Sequence, residues 1–290
     1  WDGSGANKTV YAFTKDNVDN IQMKKTNYKY LNIKGAVLDN YQLEQYMEKI
    51  ATSHDVELTS NIATYPIPRL KDNYRFIEKT YDLLNKHIKM GINLYPAGEW
   101  LLDNFYIIEE TFKTVCKEMT ITKYKKLPGI TTGMYKGFSR IYVVASEIVA
   151  YTDNKINDEI LSMAISAYQR RKTLAMEEIW NLWIFLEIAI IENIRNICEK
   201  IYSSQVQKYK VESIIERLVE KKEANTQVFK PIKDEYKENV SYKEMKYPFI
   251  EYMSYKLKST GKKGLPYLEI LEEQVNKMGM TISEVITKEH

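Results

Sequence analysis

Apolar residues recur at helical spacing along the chain, and the clearest example is the stretch at positions 96–119. Pro96 suits a first helical position, because its missing N–H would have no partner in the first turn. Trp100, Leu102 and Ile107 add apolar surface on other sides, so we expect this helix to pack between others. The residues that share its main apolar face are Leu101, Phe105, Ile108, Phe112, Val115 and Met119.

A second apolar stretch, at positions 173–195, is hydrophobic nearly all round and is predicted to begin at a Thr173 cap. Such a helix is typical of the centre of a bundle, so we expect it to be enclosed by its neighbours. Large apolar side chains favour burial, and we expect Trp100, Trp180 and Trp183 to lie in the core rather than to line a groove.

Glu187 is the exceptional residue of the second stretch. A carboxylate among apolar residues must find a partner or take up a proton. Two interpretations stay open. Glu187 forms a buried pair with a cation of a neighbouring helix, or it is a functional acid, since carboxylates with a shifted pKa collect at functional sites.

Two acids of the first stretch, Glu99 and Asp103, lie four positions apart and therefore share a helical face. Paired carboxylates carry out the acid–base chemistry of glycoside hydrolases, which makes the pair a catalytic candidate. The alternative is a solvated first turn, where acidic side chains complement the helix dipole.

The whole pattern predicts an all-α protein, a bundle or array of about ten helices with a small helical C-terminal subdomain. No stretch alternates long enough between apolar and polar residues to predict a sheet. The predicted boundaries are an irregular N-terminal arm at 1–36, a main helical domain at 37–222, and a polar linker with a helical tail at 223–290.

The composition and residue spacing argue against several classes of function. The net charge of +3 gives no electrostatic case for a nucleic-acid partner. The two cysteines and three histidines have no metal-ligand spacing, and the glycines form no nucleotide-binding motif, so we predict neither metal nor cofactor. The longest apolar run, at 179–191, is too short to span a bilayer, which needs about 20 residues.

Lysines gather near the C-terminal end, at Lys256, Lys258, Lys262 and Lys263. Such residues are usually solvated, but beside a membrane they would favour its anionic face.

Several blocks taken together resemble the N-terminal region of the cyclic β-1,2-glucan synthases, which are large bacterial multidomain enzymes. The most recognisable is Pro-Ala-Gly-Glu-Trp-Leu-Leu-Asp-Asn at 96–104. Trp183 stands where the resemblance leads us to expect a proline, and Glu187 where we expect an arginine. The other matching stretches are 38–54, 108–110, 127–128, 140–142, 167–169, 178–180, 189–193, 249–257, 282–285 and 289–290.

The resemblance implies a parent that polymerises glucose from UDP-glucose through a membrane-embedded glycosyltransferase domain. It also implies a cyclisation domain and a glycoside-phosphorylase-like domain further along the chain. We therefore expect a fragment that ends at His290 and serves as a non-catalytic scaffold at the cytoplasmic face of the inner membrane. Its expected partners are those downstream domains and an anionic membrane surface. The alternatives are a glucan-holding domain or an α-helical glucan hydrolase or transglycosylase.

We assign no catalytic residue and no metal ligand from the sequence, because the motifs of the glycosyltransferase are absent from this chain. Whether this piece has activity alone stays open. The candidate substrate-contacting residues are Glu99, Trp100, Asp103, Trp180 and Glu187.

Overall fold

The structure is a computed structural model that describes residues 29, 31, 33, 36–58, 62–216, 242–277 and 279–289. Most of the predicted arm at 1–36 and most of the predicted linker therefore lie outside the described residues. The chain divides into two compact units. Unit 1 combines the described residues up to Arg69 with Met119–Leu186, and unit 2 combines Leu70–Glu118 with the described residues from Glu187 onward.

Ten α-helices account for most of the described residues, which confirms the all-α prediction. They are α1 Asn40–Ser53, α2 Ile67–Lys89, α3 Pro96–Glu118, α4 Ile121–Lys125, α5 Arg140–Tyr151, α6 Asp158–Gln169, α7 Met176–Ile215, α8 Tyr242–Ser259, α9 Leu265–Lys277 and α10 Ile282–Glu289. Two short 3-10 segments, Ile62–Thr64 and Gly261–Lys263, complete the helical structure. The helices α2 and α7 contribute residues to both units.

The β-structure of the described chain is one antiparallel pair of two-residue strands in unit 1 and an isolated bridge between Gly129 and Ser139. The strand β1, Val56–Glu57, pairs with β2, Gly129–Ile130. A ladder of this length cannot support a layer of its own, so it serves only to join two connecting segments.

Several helix ends follow directly from local sequence. Asp39 forms a capping box with Gln42 at the start of α1, with hydrogen bonds of 2.8 and 3.2 Å in the two directions. Asn157 accepts a hydrogen bond from the amide of Ile160 at the start of α6, as its position predicts. Gly91 adopts a φ of 71° just beyond α2, which is the left-handed conformation that glycine allows at a helix end.

The innermost helix of unit 1 is α5, whose residues from Arg140 to Val149 are all buried. Ile141, Val144 and Ile148 on this helix are completely buried. We expected the 173–195 helix to be the enclosed one. That prediction is wrong for its N-terminal turns, because Met176, Trp180 and Trp183 are exposed there.

Unit 2 contains two apolar clusters. Between α2 and α3, the Tyr74 ring stacks on Phe112 and the Tyr81 ring stacks on Phe105, each with ring centroids 4.1 Å apart. The second cluster joins the last turns of α7 to the three C-terminal helices. Its fully buried members are Val211, Met253, Leu257, Leu271 and Val285. The helical tail therefore packs on α7 and shares a core with it.

Candidate functional site

Four buried ionisable groups of unit 1 form one connected set, which we call the buried polar network. It consists of His54, Arg140, Tyr168 and Glu178, of which none has more than 4% of its surface exposed. Sequence reasoning assigned no role in a site to any of them.

Arg140 and Glu178 form the ion pair at the centre of this network. The Arg140 guanidinium contacts both carboxylate oxygens of Glu178: its Nε lies 2.9 Å from Oε1, and its Nη2 donates to Oε2. The same Nη2 donates to the carbonyl oxygen of Thr173 at 3.1 Å. This two-pronged geometry is the arrangement in which a buried arginine best offsets its lost hydration.

Glu178 also fixes the start of α7. Its Oε2 accepts a hydrogen bond from the amide of Ala175 at 2.8 Å, which satisfies one of the free N–H groups at the helix start. The negative charge in the first turn complements the helix dipole. The helix begins at Met176 rather than immediately after Thr173, so the predicted cap at Thr173 is wrong. The Thr173 carbonyl instead accepts the hydrogen bond from Arg140.

His54 lies at the other end of the network. Its Nδ1 is 2.8 Å from the Tyr168 hydroxyl, and its ring packs against Tyr135 with centroids 6.3 Å apart. Burial, together with the nearby positive charges of Arg140 and Lys172, lowers the pKa of His54 to about 4. His54 is therefore neutral at pH 7.

A second buried carboxylate of unit 1, Glu147, is held differently. Tyr135 donates to its Oε1 at 2.6 Å and Tyr46 donates to its Oε2 at 2.9 Å. Burial raises the pKa of Glu147, and the two hydroxyl donors partly oppose that rise. The carboxyl joins α1, α5 and the loop that carries Tyr135.

These arrangements favour a structural use of the buried charges. Both oxygens of Glu147 and of Glu178 accept hydrogen bonds from inside the protein, and both side chains are fully buried. A carboxylate that serves as acid, base or nucleophile must reach its substrate within hydrogen-bond distance. In this structure the two acids instead connect helices of unit 1.

Glu99 and Asp103, the paired acids of the sequence prediction, are exposed on α3 in unit 2. They begin a seam of exposed polar residues that continues along the helix to Lys117. Further along α3, Lys113 pairs with Glu109 at 2.8 Å. The exposure of the pair agrees with the interpretation as a solvated first turn.

Glu187 and Glu192 belong to the part of α7 in unit 2. Glu187 is half-buried and interacts with other residues. Glu192 accepts a hydrogen bond from Asn73 Nδ2 at 2.5 Å. Arg195 forms an ion pair with Glu199 at 2.7 Å. Neither interpretation of Glu187, a buried pair or a functional acid, is tested by this partial burial, and its role stays a prediction.

The tryptophans differ most from expectation. Trp180 is 72% exposed and Trp183 is 65% exposed, so neither lies in the core. Together with Met176 and Ile179 they lie at helical positions i, i+3, i+4 and i+7, and therefore form one exposed face of α7. We call this face, within unit 1, the apolar stripe. Trp100 is 52% exposed on α3 in unit 2, which also contradicts its predicted burial.

The structure therefore places the candidate substrate-contacting residues on two units. Trp180 belongs to unit 1, whereas Glu99, Trp100, Asp103 and Glu187 belong to unit 2. Among the described residues, no group of three histidines, cysteines or acids is arranged to hold a metal ion.

One sequence signal pointed to the buried polar network. His54, Arg140, Tyr168 and Glu178 each fall within one of the separate blocks that carry the family resemblance. The contacts themselves cannot be predicted from spacing, because Arg140 and Glu178 are 38 positions apart and His54 and Tyr168 are 114 apart. A first-turn glutamate such as Glu178 also has an ordinary explanation in the helix dipole.

Comparison with known proteins gives one informative match. No family model matches the chain. Over 151 residues, 52% of its length, the chain is 26% identical to the cyclic β-(1,2)-glucan synthase NdvB of Rhizobium meliloti (strain 1021). The match covers only 5% of the length of that synthase.

None of the described helices has both the length and the apolar character that a bilayer crossing requires. The ordered blocks of the resemblance and this alignment lead to the same family. The chain is related to a region of the cyclic β-1,2-glucan synthases.

Proposed function

We propose that this chain is a non-catalytic helical scaffold within a glucan synthase polypeptide, where it supports the synthesis or cyclisation of glucan from UDP-glucose by other domains. The observation that carries the proposal is the apolar stripe, an exposed face with two tryptophans on a helix whose start is fixed from within. Exposed apolar faces of this kind are typical of interaction sites.

The buried polar network supports a scaffold role. It holds the start of α7 through the contacts of Glu178 with Arg140 and with the amide of Ala175. Because an interface gains affinity when its surface is already ordered, a fixed helix start favours docking at the adjacent stripe. Tryptophan is also the residue most enriched among the side chains that dominate interface energies.

The occupant of the stripe under this proposal is another domain of the same polypeptide. The related synthase is about twenty times longer than the region that matches this chain, since the match covers 5% of it. In a polypeptide of that length, another domain of the same molecule is available to dock on the apolar stripe.

A chimera tests the proposal, in which this chain replaces the region of NdvB that it matches. We expect the chimera to make cyclic glucan, and the variant Trp180→Ala/Trp183→Ala to lose most of that activity while expression stays the same. The matched control is Trp100→Ala, which removes an exposed tryptophan of unit 2. Full activity of the double variant in an active chimera would contradict docking through the stripe.

A second candidate function, glucan holding, is favoured by the same exposed indoles. Flat aromatic faces pack well against the apolar faces of sugar rings, and sugar sites commonly combine such faces with a few polar groups. Titration of linear β-1,2-glucan against tryptophan fluorescence separates the two functions. A saturable change that Trp180→Ala/Trp183→Ala abolishes establishes holding, and no change at millimolar sugar leaves the scaffold role.

The third interpretation is a glucan-active enzyme that uses two carboxylates among Glu99, Asp103, Glu187 and Glu192. Incubation of the chain with β-1,2-glucan, followed by separation of the products, tests it directly. We expect no new product. New oligosaccharides that disappear in the variant Glu99→Gln/Asp103→Asn would replace the scaffold proposal with a catalytic one.

A further inference from the structure

The turn between α8 and α9 in unit 2 presents a compact group of exposed residues, which we call the lysine corner. Its charged members are Lys258, Lys262 and Lys263, all exposed. Its apolar members are Tyr255, 63% exposed, and Leu265, 52% exposed. Tyr255 and Lys258 lie three positions apart on α8 and so share a helical face.

The backbone of the corner is held in one conformation. Gly261 has a φ of 61°, a left-handed value that side chains other than glycine adopt with strain. At Gly264 an added Cβ would lie 2.0 Å from the carbonyl oxygen of Leu257, so this position also requires glycine. Thr260 Oγ1 donates to the same Leu257 carbonyl at 2.8 Å.

The corner is anchored to the core on both sides. Leu257 at the end of α8 and Leu268 at the start of α9 both belong to the cluster that includes Val211 of α7. The three lysines are therefore displayed by a turn that is packed on the core on both sides.

The charges of the corner are available to a partner. Within the part of the chain that the structure describes, Lys258, Lys262 and Lys263 have no ion-pair partner. Neighbouring lysines differ: Lys256 pairs with Glu212 at 2.7 Å and Lys277 pairs with Glu273 at 2.5 Å. The corner thus concentrates positive charge that the protein itself does not neutralise.

The chemistry of the corner selects one class of partner. Lysines flanked by an exposed tyrosine and an exposed leucine match an anionic bilayer, where ammonium groups meet phosphates and the apolar side chains enter the interface. A nucleic acid fits less well, because the chain carries a net charge of only +3 and the corner contains no arginine for two-pronged phosphate contacts.

The geometry points to a peripheral membrane contact: the lysine corner binds the surface of an anionic phospholipid bilayer. The attraction is electrostatic and is strengthened by insertion of Leu265 and Tyr255 at the level of the headgroups. This inference is independent of the scaffold proposal, since it concerns unit 2 and no residue of the apolar stripe.

Cosedimentation of the full chain with vesicles tests the inference. Vesicles of phosphatidylcholine with 30–40% phosphatidylglycerol should bind the chain at low salt, and pure phosphatidylcholine should not. Each lysine near an anionic surface contributes about fivefold in affinity, so Lys262→Gln/Lys263→Gln should weaken binding about thirtyfold. Salt of about 1 M, with a screening length of about 3 Å, should abolish binding.

The matched control is Lys125→Gln/Lys126→Gln, which removes two exposed lysines of unit 1 and should leave vesicle affinity within about twofold. Leu265→Ala should weaken binding to anionic vesicles while the salt dependence remains. Far-UV circular dichroism checks that each variant keeps its helix content.

Three outcomes would overturn the inference. The chain does not bind anionic vesicles at low salt, the two double lysine variants lose vesicle affinity equally, or the chain binds single-stranded RNA more tightly than vesicles. The first two remove the corner as the contact. The third assigns it to a nucleic-acid partner. None of them affects the chimera experiment, which tests the stripe in unit 1.

Discussion

Arg140 in unit 1 and Lys208 in unit 2 are both almost completely buried, and the two cations are stabilised in different ways. In unit 1, Arg140 is 4% exposed and both oxygens of Glu178 face it. In unit 2, Lys208 is 5% exposed and lies over the Tyr95 ring, with its Nζ 3.3 Å from the ring centroid. The Nζ of Lys208 also donates to the carbonyl oxygen of Asn93 at 3.2 Å.

The difference shows how the type of partner decides the state of a buried charge. No described carboxylate lies within ion-pair distance of Lys208, and burial lowers its pKa, a shift that the charges of Glu251 and Glu212 partly oppose. Arg140 keeps its charge, because a guanidinium does not lose its proton in proteins and Glu178 neutralises it. Arg140 thus depends on an ion pair, whereas Lys208 is held by an aromatic ring and a carbonyl. Unit 2 has a second buried cation, Arg195, which pairs with Glu199.

The largest expected effect comes from removal of the carboxylate in unit 1. Glu178→Ala leaves Arg140 buried without a counter-ion and removes the acceptor at the start of α7, so we expect a loss of about 3–5 kcal/mol in the free energy of unfolding. Urea denaturation measures it. Glu177→Ala, the exposed neighbour in the same turn, is the control and should change little. Equal effects of the two would show that the ion pair does not stabilise unit 1.

Acid should destabilise unit 1 next most strongly, through His54. Its pKa is about 4 in the folded chain and about 6.5 when unfolded, so the unfolded state binds more protons between these values. Stability therefore falls as pH falls from about 6.5 to 4, by roughly 3 kcal/mol from this residue.

Titration of stability with pH, for the wild type and for His54→Gln, checks this slope. The variant should lose that part of the slope. Glu147 acts in the opposite direction. Burial raises its folded pKa, so its contribution to stability is lost as pH rises through that pKa. An unchanged acid slope in His54→Gln would refute the assignment.

The smallest expected effect is in unit 2. Lys208→Met keeps the apolar stem on the Tyr95 ring and removes a buried ammonium that has no carboxylate partner, so the cost should be at most about 1 kcal/mol. Arg140→Met in unit 1 strands Glu178 and should cost about 3–5 kcal/mol. Comparable losses in the two variants, measured by urea denaturation, would remove the distinction between the two buried cations.

The helices were predictable because their signals are local. The capping box of Asp39 and the cap of Asn157 involve residues three positions apart, and the spacing of Leu101, Ile108 and Val115 correctly predicts the buried face of α3. The boundaries of the arm, main domain and tail remain predictions.

The candidate site was less predictable, because it depends on which helix faces receive a partner. Because the residues at 176–183 form an apolar helical face, hydrophobicity alone predicts that this face is buried. Trp180 and Trp183 are nevertheless exposed. Glu178, which reads as an ordinary first-turn acid, is fully buried against Arg140. Periodicity identifies the residues that share a face but carries no information about what covers it.

The sequence by itself determined the all-α class, most helix ends and the relation to cyclic β-1,2-glucan synthases. All three depend on residues that are close together in the sequence. The tertiary structure alone decided which charges are buried and paired. Tyr46 and Glu147 are 101 positions apart and meet only after the chain has folded. The energy of such contacts depends on the exclusion of water by neighbouring helices, which no local pattern specifies.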